Sequence, residues 1–226
     1  YYDVTATKMN TLTPNSQDVI SRLEGGLTIT SYLNALDEQD IWTASPSRVK
    51  TDQVRFKQYV RFKPDIKLKY VYYYDTIQSL SQDQRFPNLN TEQRAREIMR
   101  IHGLDSSLFL SPGQIREQID LSGEKNMFVR LLERENGEKT FLRVFDDMQH
   151  HPGESEITAA FKRIAMELPT VGFLVGHGER DIHRTGDREY SGFALEKRFR
   201  YALINQGFDI LNVRLTDEVP DNIKIL

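Results

Sequence analysis

The chain has 226 residues, 30 Lys and Arg against 33 Asp and Glu, a formal net charge of -3, and a composition 38% hydrophobic and 28% charged. That balance supplies a packed core for one large or two small domains, and it lacks the basic excess on which general nucleic-acid binding rests, so no nucleic-acid partner is expected. Cysteine is absent, which excludes disulfides, thiolate catalysis and cysteine zinc sites, and no run reaches the roughly 18 apolar residues of a membrane helix.

Thr13 as a cap, Pro14 in the first helical position, and Val19, Ile20 and Leu23 on one face predict a helix over 14–24, stopped by Gly25-Gly26. Residues 27–33 alternate apolar and polar side chains and predict a strand. Ser45-Pro46-Ser47 opens a helix with Val49, Phe56 and Val60 on one face, and Pro64 forbids its continuation. Residues 66–75, with three consecutive tyrosines, predict a largely buried strand in which the rings pack rather than stack on bases. Asn90 or Thr91 begins a helix aligning Ala95, Ile98, Met99 and His102 and closed by Gly103. Residues 104–126 lack a period and read as a long connection with one short helix near 115–119.

Residues 127–133 and 140–145 predict two strands paired antiparallel around Asn136-Gly137. Ile157, Ala160, Phe161, Ile164, Ala165 and Leu168 then follow the spacing of a helix with one buried stripe. From Leu27 this order matches a thioredoxin-like layout, without the cysteines of its redox chemistry. Residues 171–175 predict a strand running into Gly176-His177-Gly178-Glu179. Residues 190–205 predict a helix with Leu195, Phe199, Ala202 and Leu203 on one face, and 208–215 a further strand. This βαβ unit is the opening of a parallel sheet of flavodoxin-like or Rossmann-like type. With 223–226 as the next apolar segment, such a sheet cannot bury both faces, and the chain reads as a piece of a longer protein. The expected class is therefore α/β, with a thioredoxin-like domain over 1–168 and the first, truncated part of a second α/β domain over 169–226.

Several segments resemble the extracytoplasmic region of auxiliary subunits of bacterial ABC transport systems associated with gliding motility, the GldG-like family. They are Tyr2-Asp3-Val4-Thr5, Thr11-Leu12-Thr13-Pro14, Ile29-Thr30-Ser31-Tyr32-Leu33, Asn136-Gly137, Glu156-Ile157-Thr158-Ala159-Ala160, and Val171 through Glu179, in this order. The glutamate-led helix followed by a strand ending in Gly-His-Gly-Glu is the most distinctive pairing. The resemblance implies a second domain of glutamine-amidotransferase-like fold, membrane helices outside this chain, a periplasmic location, and ABC permease and ATPase subunits as partners. It carries over no catalytic residue, so the expectation is a non-catalytic module without a cofactor.

Gly176, His177, Gly178 and Glu179 form the candidate ligand or partner site, because open α/β sheets place ligands outside the carboxyl ends of their strands. The glycines permit close approach, His177 can donate or accept, and Glu179 can orient its imidazole. The alternative is a tight turn whose His and Glu satisfy loop amides. His177, Glu179, Asp181 and His183 alternate as strand-borne metal ligands would, but glycine and charge mark the stretch as loop, and no metal is expected. No Gly-x-Ser-x-Gly elbow, Ser-x-x-Lys start or phosphate-binding Gly-x-x-x-x-Gly-Lys loop is present. Asp146-Asp147 and Asp217-Glu218 read as solvated turn charges, and His150-His151 as a solvated turn before Pro152. Trp42 reads either as an interface anchor or as a flap over the first core. The enzymatic alternative is an envelope saccharide-acting hydrolase or transferase with His177 and Glu179 as its acid and base.

Overall fold

The computed structural model describes residues 11–226, so the opening Tyr2-Asp3-Val4-Thr5 motif lies outside the described residues. In chain order the regular elements are α1 (Pro14–Ser21), β1 (Leu27–Asn34), α2 (Pro46–Phe62), β2 (Ile66–Tyr73), α3 (Leu80–Arg85), α4 (Thr91–Ile101), β3 (Phe109–Leu110), α5 (Pro112–Gln118), β4 (Val129–Arg134), β5 (Lys139–Arg143), α6 (Glu154–Ala165), β6 (Thr170–Leu174), α7 (Ser191–Ala194), β7 (Asp209–Val213) and β8 (Ile223–Ile225). The molecule is mixed α/β, with a mixed five-stranded sheet in the order β3-β2-β1-β4-β5 and a three-stranded sheet in the order β7-β6-β8. The described residues group into two compact units, residues 27–131 and residues 132–226 with residues 11–26. This grouping runs along a different line from the expected division after Leu168.

In the 27–131 unit, β1 and β2 run parallel in unbroken register from Leu27 opposite Ile66 to Asn34 opposite Tyr73. β3 adds to β2 in parallel at Tyr72 and Tyr73. Nearly every residue of β1 is buried, as befits a strand flanked on both sides and covered on both faces. Of the three tyrosines, Tyr73 is fully buried, and Tyr72 and Tyr74 pack on a core of Ala35, Ile41, Ile98 and Met99. The ring of Tyr72 lies 5.5 Å from Phe109, so the run is a packing element.

In the 132–226 unit, Arg134 N–H donates to the Glu138 carbonyl (2.9 Å), and Gly137 supplies the positive φ of the turn, 89°; the Asn-Gly signal was sound. α6 buries Ile157, Phe161 and Ile164. Around β6, β7 and β8 are both parallel and lie on opposite sides. Gly172 at the centre of this sheet admits no larger residue without movement, since a Cβ there would come within 2.8 Å of Val213 Cγ2.

Two expectations are corrected. The helix expected over 190–205 is only the single turn α7 and a 3-10 turn at Leu203–Asn205. Arg198 is drawn to Asp146 (2.8 Å), and Arg200 to Asp147 and Glu156 (both 2.7 Å). Asn205 Nδ2 donates to the carbonyls of Glu196, Lys197 and Phe199, acceptors that a continuous helix would use internally. In the connection 104–126, β3 was not foreseen, and Ser111-Pro112-Gly113 starts α5 rather than breaking the chain. Ser111 and Gln114 form a reciprocal capping box, with Pro112 in the first turn. α3 was also unforeseen, although Ser79 accepts from Gln82 N–H as its cap. Asp146 and Asp147 are exposed, as expected of solvated turn charges, and they also pair with Arg198 and Arg200.

Candidate functional site

The carboxyl end of β6 is where strand order reverses, with β7 to one side and β8 to the other. In open parallel sheets this reversal splays the following connections apart and leaves a crevice for ligands. β6 stops at Leu174, Val175 N–H still reaches the Val213 carbonyl (2.9 Å), and the chain then leaves the sheet at Gly176. Gly176 (φ 122°) and Gly178 (φ 91°) hold backbone conformations that L side chains resist, and open space surrounds both. They turn the His177 side chain outward, 67% exposed.

Glu179 folds back on this turn. Its carboxylate accepts from His177 N–H at 2.6 Å and lies 3.4 Å from His177 Nδ1. The backbone N–H of His177, its own N–H and the neighbouring imidazole hold the Glu179 carboxyl below the usual glutamate range. Glu179 is therefore an ionised acceptor that fixes the turn and faces the imidazole, combining the tight-turn reading with an orienting role for His177.

The following loop is anchored locally. Ile182 is buried among Val171, Phe173 and Ala194. Asp181 N–H donates to Glu189 (2.6 Å), His183 N–H to Asp181 (2.8 Å), and Tyr190 N–H to the Asp181 carbonyl (3.0 Å). Arg180 lies over the Tyr190 ring at 5.4 Å. Because the stretch is loop, His177, Glu179, Asp181 and His183 do not share a strand face, and no group of three or more His, Asp or Glu residues is placed to hold a metal ion among the described residues. Asp217 and Glu218 are exposed in a turn. His150 is half-buried, with Nδ1 2.8 Å from the Phe145 carbonyl. Trp42 is 56% exposed and meets His102 edge to face at 4.2 Å.

One concavity was not legible in the sequence. In the 27–131 unit a cleft of about 980 Å³ lies past the ends of β1 and β2, lined by Leu36 to Gln39, Thr76 to Ser79 and Ser122 to Met127 among others. A polar network adjoins it through Leu36 and Asn126. Asn34, the last residue of β1, donates to the carbonyls of Asp75 (2.8 Å) and Asn126 (2.9 Å) and accepts from the N–H groups of Leu36 (3.0 Å) and Asp75 (3.2 Å). Buried Asp75 receives the Arg116 guanidinium in two hydrogen bonds. The lining residues come from three segments far apart in sequence, so no local motif announces the cleft.

Comparison with family models, curated proteins and solved structures returns no match for this chain. The functional reading is carried by the residues.

Proposed function

We propose that this chain is a non-catalytic binding module of an ABC transport auxiliary subunit. It acts on the extracytoplasmic side of a bacterial inner membrane, held by membrane segments outside this chain, and it engages the permease and ATPase subunits or an envelope ligand. The observation that carries the binding role is the Gly176 to Glu179 rim at the strand-order reversal, where an outward imidazole is set by a carboxylate already committed to a backbone N–H. A carboxylate held ionised in this way suits recognition better than general-acid catalysis, which needs a raised pKa. The transport assignment rests on the ordered segments that resemble the GldG-like family. The finer fold reading is thioredoxin-like followed by Rossmann-like; parallel β1 and β2, the β4–β5 hairpin and the parallel β7-β6-β8 order support it.

The test uses the full-length protein purified from its host's membranes. Permease and ATPase are expected to co-purify with it, and Glu179→Lys is expected to weaken that association while the melting temperature holds. Absence of both subunits would remove the transport reading. Cleavage of an envelope saccharide that is lost in a folded His177→Ala protein would replace it with the enzymatic one.

A further inference from the structure

α2 is the crossover between the parallel strands β1 and β2, and it carries one acid, Asp52, against five cations, Arg48, Lys50, Arg55, Lys57 and Arg61. Asp52 is turned inward, where it is buried and accepts from the Arg130 guanidinium and the Tyr70 hydroxyl. The outer face of α2 is therefore left without an acid. Arg48, Lys50 and Lys57 are exposed and form no ion pair among the described residues, although the chain as a whole has more acids than bases. The surface of α4 is built differently: its Arg96 and Arg100 are each paired with a glutamate of the same helix, Glu92 and Glu97.

Lys50, Val54, Lys57 and Arg61 follow at steps of four, three and four residues, so they form one row along the helix, about 16 Å from end to end. Lys57 and Arg61 are like charges one turn apart, an arrangement that costs the free helix stability. A negative surface laid against the row reverses that sign. Val54 stands within it, 63% exposed, and Phe62 is exposed at the end of the same helix. Cations flanking apolar side chains on an exposed helix face match a lipid interface, where long basic side chains extend their charges to headgroup phosphates while the apolar groups enter the layer beneath. A nucleic acid or a purely acidic segment would meet the charges but give Val54 no apolar surroundings.

We propose that the outer face of α2 docks on a bilayer surface rich in anionic phospholipid. This docking requires neither permease nor ATPase, so it and the transport reading can fail separately. The test is flotation of the purified chain with vesicles of phosphatidylcholine, with and without phosphatidylglycerol. Binding is expected only where phosphatidylglycerol is present, and it falls as salt is raised. Lys50→Gln with Lys57→Gln is expected to lower the partition about thirtyfold, and Val54→Ser about fivefold. Arg96→Gln with Arg100→Gln changes the net charge by the same amount on α4 and is expected to leave the partition unchanged. All five side chains are exposed, so each variant is expected to keep its melting temperature. No preference for phosphatidylglycerol, an equal loss in the α4 variant, indifference to Val54→Ser, or tighter binding to polyglutamate or duplex DNA than to the vesicles would overturn the proposal.

Discussion

Arg130 on β4 has no exposed surface, yet it carries a guanidinium. Its Nη2 donates to buried Asp52 of α2, and its cation faces the rings of Phe128 at 4.5 Å and Phe56 at 5.6 Å. Asp52 is also held by the Tyr70 hydroxyl (2.9 Å) and by Arg55 at 3.4 Å. Burial, then the Asp52 carboxylate, pushes the Tyr70 phenol upward, so it remains a donor. Arg130 Nε and Nη1 have no partner among the described residues, which means the charge is only partly compensated. Truncating one member of such a pair leaves the other charge stranded. Asp52→Ala is expected to cost about 3–5 kcal/mol in urea unfolding, whereas Asp52→Leu with Arg130→Met, an apolar pair of similar volume, is expected to cost far less. Equal losses in the two proteins would show that packing, not charge, sets the value.

Among elements, the segment 195–206 shows side-chain chemistry overriding a helical pattern. Leu195, Phe199, Ala202 and Leu203 are spaced for one apolar face, but Phe199 is 45% exposed, while Arg200 is 5% exposed in its ion pair with equally buried Glu156. One helix could not bury Arg200 and satisfy three carbonyls from Asn205 at once. Arg200→Met is therefore expected to cost about 3 kcal/mol, because Glu156 is left buried without its cation, and to speed amide hydrogen exchange over 199–206. α1 shows the reverse case, in which pattern and contacts agree. Thr13 caps the helix, and Glu154 at the start of α6 accepts from both Thr13 N–H and Thr13 Oγ1 at 2.8 Å. The 310 Å³ hollow at these helix starts thus already contains an internal anion.

For the molecule as a whole, the carboxyl groups lowered by tertiary contacts concentrate in the 132–226 unit. Hydrogen bonds from Arg200 bring Asp147 down to about 2. Burial alone would raise Glu156 and Glu154, but hydrogen bonds win: from Ser155, Gly153 and Arg200 for the first, and from Ser16 and Thr13 for the second. A carboxyl group with a depressed folded pKa contributes stability that is complete above its unfolded value and is lost as pH falls through the folded one. Stability is accordingly expected to be level above about pH 4.5 and to decline toward pH 2. Asp147→Asn should shrink that decline in acid-dependent melting; an unchanged slope would show that other groups govern it. Trp42, the single tryptophan and part of the 27–131 unit, reports separately on unfolding there.

What residue order alone determined was local. Alternation gave β1, aromatic and β-branched concentration gave β2, a short apolar run gave β6, the apolar stripe gave α6, and Asn136-Gly137 gave the hairpin, because period, propensity and turn chemistry act within a few residues. The Gly176-His177-Gly178-Glu179 rim was legible for the same reason, since glycine marks where backbone must leave a strand. Tertiary structure decided the rest. Partners more than 40 residues away from Arg200 broke the expected helix, two residues of pairing with β2 made β3 a strand, and the pairing of β6 with β7 on one side and β8 on the other put the rim at a strand-order reversal. Beside the cleft, parallel pairing of β1 with β2 brings Asn34 to Asp75, and Asn126 joins them through the Asn34 side chain, a juxtaposition of long-range contacts that no local spacing encodes.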